Sequence, residues 1–330
     1  MDLLVATNKE DTVGYGDDHY TKEVTELIKQ QCNNDNIDVY LFVGGTPANI
    51  AFLKQALRPH QGVLCASFGH INCHEAGAIE ATGHKVLPLK CGQEGKITAD
   101  QVEAAWLDHY TDGNQMHMVQ PAGVYISQTT ETGAIYSKKE LMDLSQECKK
   151  RELFLYLDGA RLGYALSSKD NDVSLEDLAH LTDGFYIGGT KCGALIGEAM
   201  VLVNDKYKKD FFYIVKQDGA LLAKGRLAAL QFKGLLTNNV YTKICGKANE
   251  YGQQIATTLK ANGFTMFADS PTNQQFVVFD NKRLKEFEKK YNFAFWANKD
   301  ENNTIIRICT SWSTKKEDVK ELLKDISESK

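Results

Sequence analysis

Four short stretches of this chain end an apolar run on residues that can do chemistry: VYLFVGGTPAN (39–49), FGHINCHEAG (68–77), FLYLDGARLG (154–163) and FYIGGTKCGA (185–194). In the last, Lys191 sits among Gly189, Thr190, Cys192, Gly193 and Ala194, which offer little to solvate an ammonium. Desolvation lowers a lysine pKa and leaves a neutral amine able to add to an aldehyde. Asp158 closes an apolar strand, where a carboxylate loses hydration and needs a cation, either Arg161 or a cationic ligand nitrogen. His70 could lie over a flat ligand or carry a proton. Gly44 and Gly45 let the backbone approach an anion, with Thr46 as N-cap and Pro47 at the first helical position. No Lys-Ser/Thr of a nucleotide P-loop follows. Each stretch also has a plain reading: a tight turn, a surface lysine, an Asp–Arg pair, a satisfied histidine. His74, His84 and His117 are read that last way.

The elements that must hold these residues alternate. Strand-like runs at 39–43, 62–66, 85–89, 116–120, 123–127, 153–157, 184–188 and 199–203 are interleaved with helix patterns such as 47–57, 98–109 and 138–150. Ser137 before KKEL is a helix N-cap. Such alternation predicts an α/β fold: a large domain with a mostly parallel sheet flanked by helices, binding ligands beyond the carboxyl ends of its strands. After about residue 235 the pattern changes to a long helix (239–260), then QQFVVFD, RLKEFEKK, NFAFWA, TIIRICTSW and a terminal helix. That predicts a small C-terminal α+β domain, dividing the chain into 1–235 and 236–330.

Composition narrows the partners. With 43% hydrophobic and 25% charged residues and a net charge of −5, the 330-residue chain is ordinary for a globular protein and gives no reason to expect nucleic acid or an anionic membrane surface. No apolar run reaches the roughly 20 residues of a membrane span, and the amino end lacks a signal peptide's pattern. The eight cysteines are scattered without a C-x-x-C pair. They are read as reduced thiols of a cytoplasmic protein, with no metal site.

Taken together, the strand ends supply a phosphate cradle, a ring-stacking histidine, a partner for a cationic ring nitrogen and an imine-forming lysine. Pyridoxal 5′-phosphate needs those four things. With GGTPAN, GHINCHEAGAIE, LDGARLGYA and GGTKCGALIG in this order, the chain resembles the aspartate-aminotransferase superfamily (fold type I), and within it the threonine aldolases of the β-eliminating lyase group. The resemblance runs from GYGDD (14–18) to RICTSW (307–312).

It implies that Lys191 forms the internal aldimine, Asp158 binds the pyridine nitrogen, His70 stacks on the ring, Gly45 and Thr46 hold the phosphate, and Arg161 lies beside the ring. Arg307, alternating with isoleucines on a strand, matches the arginine that grips the substrate carboxylate; its guanidinium fork suits two-point binding, and its plain reading is a rim salt bridge. Lys224 and Tyr15 match positions near a neighbouring subunit's site, implying a homodimer or homotetramer with shared active sites.

Two departures stand out. Thr130, in ISQTTETGA, occupies the place of a histidine in an E-N-T-H segment. Related sequences also carry a segment before MDLLVATN with a Ser or Thr near the substrate carboxylate, which leads us to expect a weaker hold on that group. The implied activity is cleavage of the Cα–Cβ bond of threonine or allo-threonine to glycine and an aldehyde, with His70, or a water near Thr130, as base. Alternatives are β-elimination or transamination of a small amino acid, a cofactor-binding protein of low activity, and an enzyme of sugar or nucleotide chemistry without this cofactor.

Overall fold

The computed structural model describes residues 1–329. Seven strands form the large sheet: β1 (Asp38–Phe42), β2 (Gln61–Ala66), β3 (Lys85–Leu89), β4 (Gln120–Ser127), β5 (Phe154–Asp158), β6 (Gly184–Gly188) and β7 (Glu198–Leu202). Their spatial order is β1-β7-β6-β5-β4-β2-β3, with β7 antiparallel to both neighbours and the remaining pairings parallel. The mostly parallel sheet expected from the strand–helix alternation is therefore present.

Alternation of side chains explains why both faces are covered. Leu155 and Leu157 of β5, Val124 and Ile126 of β4, and Phe185 and Ile187 of β6 enter one apolar core. Phe154 and Tyr156, Tyr125, and Tyr186 from the same strands enter a second, packed against Ala48, Ala51 and Phe52 of the helix Gly45–Ala56. A central strand buried on both sides reads as a continuous apolar run, as FLYL does. The helix Lys138–Lys150 starts with a capping box in which Ser137 accepts from the Glu140 N–H while the Glu140 carboxylate accepts from the Ser137 N–H.

Two readings need correction. The run 116–120 is not a strand: Gln115–His117 is a single 3-10 turn with Met116 91% exposed, and β4 begins only at Gln120. An apolar cluster without periodicity does not distinguish a strand from a turn. The helix expected from residue 47 starts at Gly45 with Gly44 as N-cap, so Thr46 and Pro47 lie inside its first turn.

A second sheet is antiparallel throughout, ordered β10-β11-β9-β8, from β8 (Thr265–Ala268), β9 (Gln274–Asp280), β10 (Ala294–Asn298) and β11 (Asn303–Cys309). The helix Val240–Ala261 links the two bodies. Tyr241, Cys245 and Ala248 from its first half enter the large core, while Tyr251, Ile255 and Leu259 pack with Val277, Phe279, Ile306 and Ile308.

Candidate active site

The carboxyl ends of the parallel strands meet at one end of the sheet. There Phe68 and His70 (after β2), Glu131 (after β4), Arg161 (after β5) and Lys191 (after β6) line a cleft of about 470 Å³. The small sheet closes it with Phe295, Trp296 and Ala297 of β10 and Arg307 of β11.

Asp158 ends β5 at 4% exposure. Its carboxylate accepts from the Tyr186 hydroxyl (2.5 Å), the Tyr125 hydroxyl (2.6 Å), the Ala160 N–H (2.9 Å) and Asn49 Nδ2 (3.1 Å). Burial works against its charge. The Tyr125 and Tyr186 hydroxyls, the Ala160 N–H and the nearby Lys191 cation outweigh it and hold the carboxyl below the usual range. Among the described residues, no cation is within ion-pair distance of this buried, ionised group.

Lys191 follows β6 in the short turn Thr190–Cys192. Its side chain opens onto the cleft and is exposed there. Loss of hydration and the Arg161 cation push the ammonium below its ordinary pKa, against the pull of Asp158 and Glu198. The turn is fixed beneath it by Glu198, which accepts from the Gly189 N–H (2.7 Å) and from the Thr190 hydroxyl. Among the described residues, Lys191, Arg161 and Arg307 form no ion pair. Arg307 Nη1 reaches only Gln274 Oε1, at 3.4 Å, and its Nε has no partner. Three cations without an ion pair, in a cleft whose one lining carboxylate is Glu131, suit an anionic ligand.

His70 is held at both ends. Its backbone N–H donates to Glu131 Oε1 (2.9 Å) and its ring Nδ1 lies 2.8 Å from Glu75 Oε1. The Glu75 contact raises the imidazole pKa, and burial opposes it. At the end of β1, Gly44 caps the helix Gly45–Ala56 without a side-chain bond, leaving the first N–H groups free for an anion. A Cβ at Gly45 would stand 2.6 Å from the Tyr186 hydroxyl, so only glycine lets this turn lie against the tyrosine that binds Asp158.

These residues fit pyridoxal 5′-phosphate. A buried carboxylate kept ionised without an ion pair suits a cationic ring nitrogen, an unpartnered lysine suits an aldehyde, and an uncapped helix start suits a phosphate.

A family model described as beta-eliminating lyase matches residues 1–282. The chain belongs to the beta-eliminating lyase family. It is 27% identical over 326 residues to the low-specificity L-threonine aldolase of Pseudomonas aeruginosa, spanning 98% of this chain and 92% of that one. The solved threonine aldolase of Leishmania major superposes with a TM-score of 0.95 at 38% identity, over 99% of this chain and 94% of that one. A single mutant of the Thermus thermophilus aspartate aminotransferase shares the fold, with a TM-score of 0.71 at 15% identity, covering 100% of this chain and 86% of that one.

In this beta-eliminating lyase, His70, Arg161, Lys191 and Arg307 line the cleft, while Asp158 and the Gly45–Thr46 turn lie at the strand ends behind it. Three other expected residues are not among the cleft's lining. The Thr130 hydroxyl donates to the Glu94 carbonyl (2.7 Å) and is buried. Tyr15 lies under Lys216, whose Nζ is 3.9 Å from its ring centroid, and its N–H donates to the Ala223 carbonyl. Lys224 Nζ reaches the Thr12 carbonyl at 3.2 Å.

His74, read above as a satisfied group, faces the cleft beside Trp296, with ring centroids 6.4 Å apart. Asn49, Glu75, Tyr125, Glu131, Tyr186 and Trp296 were not anticipated. One signal was available: Tyr125, Tyr156 and Tyr186 each stand two residues before the end of their strand. Trp296 had none, because it is the extra residue of a bulge between Phe295 and Ala297 that register alone does not announce.

Proposed function

We propose that the chain is a pyridoxal-5′-phosphate-dependent carbon–carbon lyase. It cleaves the Cα–Cβ bond of a β-hydroxy-α-amino acid, threonine or allo-threonine, to glycine and an aldehyde. The observation that carries this reading is a lysine sharing one cleft with two arginines, all three without an ion pair among the described residues, beside a buried carboxylate held ionised without an ion pair. Family membership and the aldolase activity named for the relatives support it.

In this reading the N–H groups of Gly45 and Thr46 hold the cofactor phosphate, Asp158 holds the ring nitrogen, and His70 lies against the ring with Arg161 beside it. Lys191 Nζ, the amine that opens onto the cleft, would hold the cofactor through its aldehyde. When bound, the cofactor supplies an acceptor for the electron pair released as Cα–Cβ breaks. Arg307 grips the substrate carboxylate in two-point fashion. His70 Nε2, its other nitrogen being committed to Glu75, takes the proton of the β-hydroxyl. Cα gains one proton as the hydroxyl loses one, so the cleft needs an acid as well as a base, and Lys191 Nζ is that second proton carrier. Phe68, Phe295 and Trp296 keep water from the departing β-carbon.

Tyr15 and Lys224 lie outside their own chain's cleft, which supports a homodimer or homotetramer with shared sites. Eight free thiols support a cytoplasmic setting. The functional division of the chain falls at 235/236, with the cofactor side in 1–235.

Aldehyde release from L-threonine and L-allo-threonine with added pyridoxal 5′-phosphate tests the reading, with Lys191→Ala as control. Glycine and acetaldehyde in equal amounts, abolished by the substitution, are expected. Ammonia and a keto acid in their place would overturn the assigned bond cleavage.

A further inference from the structure

Behind the cleft, an unbroken chain of hydrogen bonds joins His70 to Asp158. Asn49, one turn into the helix Gly45–Ala56 and fully buried, donates through Nδ2 to both Glu75 Oε1 (2.7 Å) and Asp158 Oδ2 (3.1 Å), and its Oδ1 accepts from the Tyr156 hydroxyl (3.1 Å). That orientation is fixed by chemistry, since two carboxylate oxygens can only be met by the amide's NH2. Glu75 Oε1 also meets His70 Nδ1 at 2.8 Å. An ionised carboxylate only accepts, so Nδ1 carries the hydrogen and Nε2 is left for the cleft.

The Glu75 side chain has no exposure to solvent, and its second oxygen, Oε2, has no partner. A buried acceptor left unsatisfied costs about 1–3 kcal/mol. An apolar side chain would leave Asn49 Nδ2 and His70 Nδ1 without this acceptor, so the carboxylate here serves those two groups rather than packing.

We propose that Glu75 is a positioning residue, fixing the tautomer and basicity of His70 and, through Asn49, tying them to the charge on Asp158. The inference rests on the proposed function only for the consequence, namely that the imidazole receiving the hydroxyl proton is set by a carboxylate that never touches substrate. Other charged and titratable groups face His70 from the packed elements. They are His74 on its own loop, Glu131 after β4, Asp158 and Arg161 after β5, Lys191 after β6, and Arg307 on β11. Of these, Asp158 acts with Glu75 and Lys191 acts against it.

The test is the titration of His70 followed by NMR in ring-labelled holoenzyme, with His70→Gln identifying the signal. Glu75→Gln keeps an acceptor for Nδ1–H but removes the charge. The expected result is a midpoint about one unit lower, equivalent to roughly a tenfold change in proton affinity, with the acid limb of kcat/KM moving by the same amount and KM unchanged. Glu75→Asp, which restores the charge, is expected to return most of the shift.

Asn49→Ser leaves the Glu75–His70 contact, cuts the link to Asp158 and removes a donor from Glu75 Oε1, which makes that oxygen a stronger acceptor, so a smaller shift in the opposite direction is expected, and this variant also serves should Glu75→Gln not fold. Midpoints equal to wild type in every folded variant would overturn the proposal and make Glu75 a structural group. The imidazole titration needs no turnover. A wild-type enzyme that releases no aldehyde but shows the shift would sink the aldolase reading and leave the role of Glu75 standing.

Discussion

Gly45→Ala, combined with Tyr186→Phe, tests whether the proposed phosphate turn and the carboxylate site are one mechanical unit. A methyl group at Gly45 would lie 2.6 Å from the Tyr186 hydroxyl and 3.3 Å from its Cζ. Tyr186 is 1% exposed and its hydroxyl donates to Asp158, so it cannot swing aside without breaking that bond. Overpacking of this kind costs about 1–3 kcal/mol. Tyr186→Phe alone removes a hydrogen bond to a charged group, about 1.5–3 kcal/mol. Independent effects would add to roughly 2.5–6 kcal/mol in the double variant. With the hydroxyl gone, however, the nearest tyrosine atom recedes from 2.6 to 3.3 Å, and most of the methyl penalty goes with it.

The double variant is therefore expected to resemble Tyr186→Phe alone, with a coupling of about 1–2 kcal/mol. Urea unfolding of the four proteins, read by intrinsic fluorescence, measures it. Melting temperatures should follow at roughly 1–2 °C per kcal/mol for a chain of this length. Additivity within about 0.5 kcal/mol would refute the argument.

Two further outcomes are expected. Arg307→Lys keeps a charge but loses the planar fork, so KM for threonine should rise about tenfold with a smaller change in kcat; unchanged steady-state constants would remove Arg307 from the substrate site. Burial pushes Glu198 up to about 7, above its unfolded value, despite its bonds to Thr190 and Gly189. Its contribution to stability is thus fully present below about pH 4.5 and is lost as pH rises through 7. Relative to Glu198→Gln, wild type should lose roughly 3 kcal/mol of unfolding free energy between pH 4 and 8. Parallel pH curves for the two proteins would contradict this.

Where the sequence was legible, a physical conflict made it so. Apolar strands ending in Gly-Gly-Thr or Asp-Gly-Ala-Arg cannot satisfy those residues from within the strand, which marked the strand ends behind and around the cleft. What stayed hidden was the second layer. Asn49 and Glu75 are ordinary helix and loop residues until tertiary packing brings them to Asp158 and His70 across 109 and 5 positions of chain. Thr130 looked like a site residue from its alignment with a histidine, yet its hydroxyl closes the 130–134 turn, accepting from the Ala134 N–H. Local hydrogen bonding can claim a hydroxyl in a way that no motif records. The edges of elements were missed for a related reason, as at Gly45, where a glycine N-cap gives no side-chain signal.

The bulge at Trp296 lies on β10, which pairs with a neighbour on one side only. An edge strand can gain or lose a residue without forcing a second partner out of register. The aromatic wall of the cleft is therefore mounted on an editable edge strand of the small sheet, whereas Asp158 is fixed at the centre of a seven-stranded one. Insertions or deletions in β10 offer a route by which descendants of this gene could change what they admit while inheriting the same chemistry.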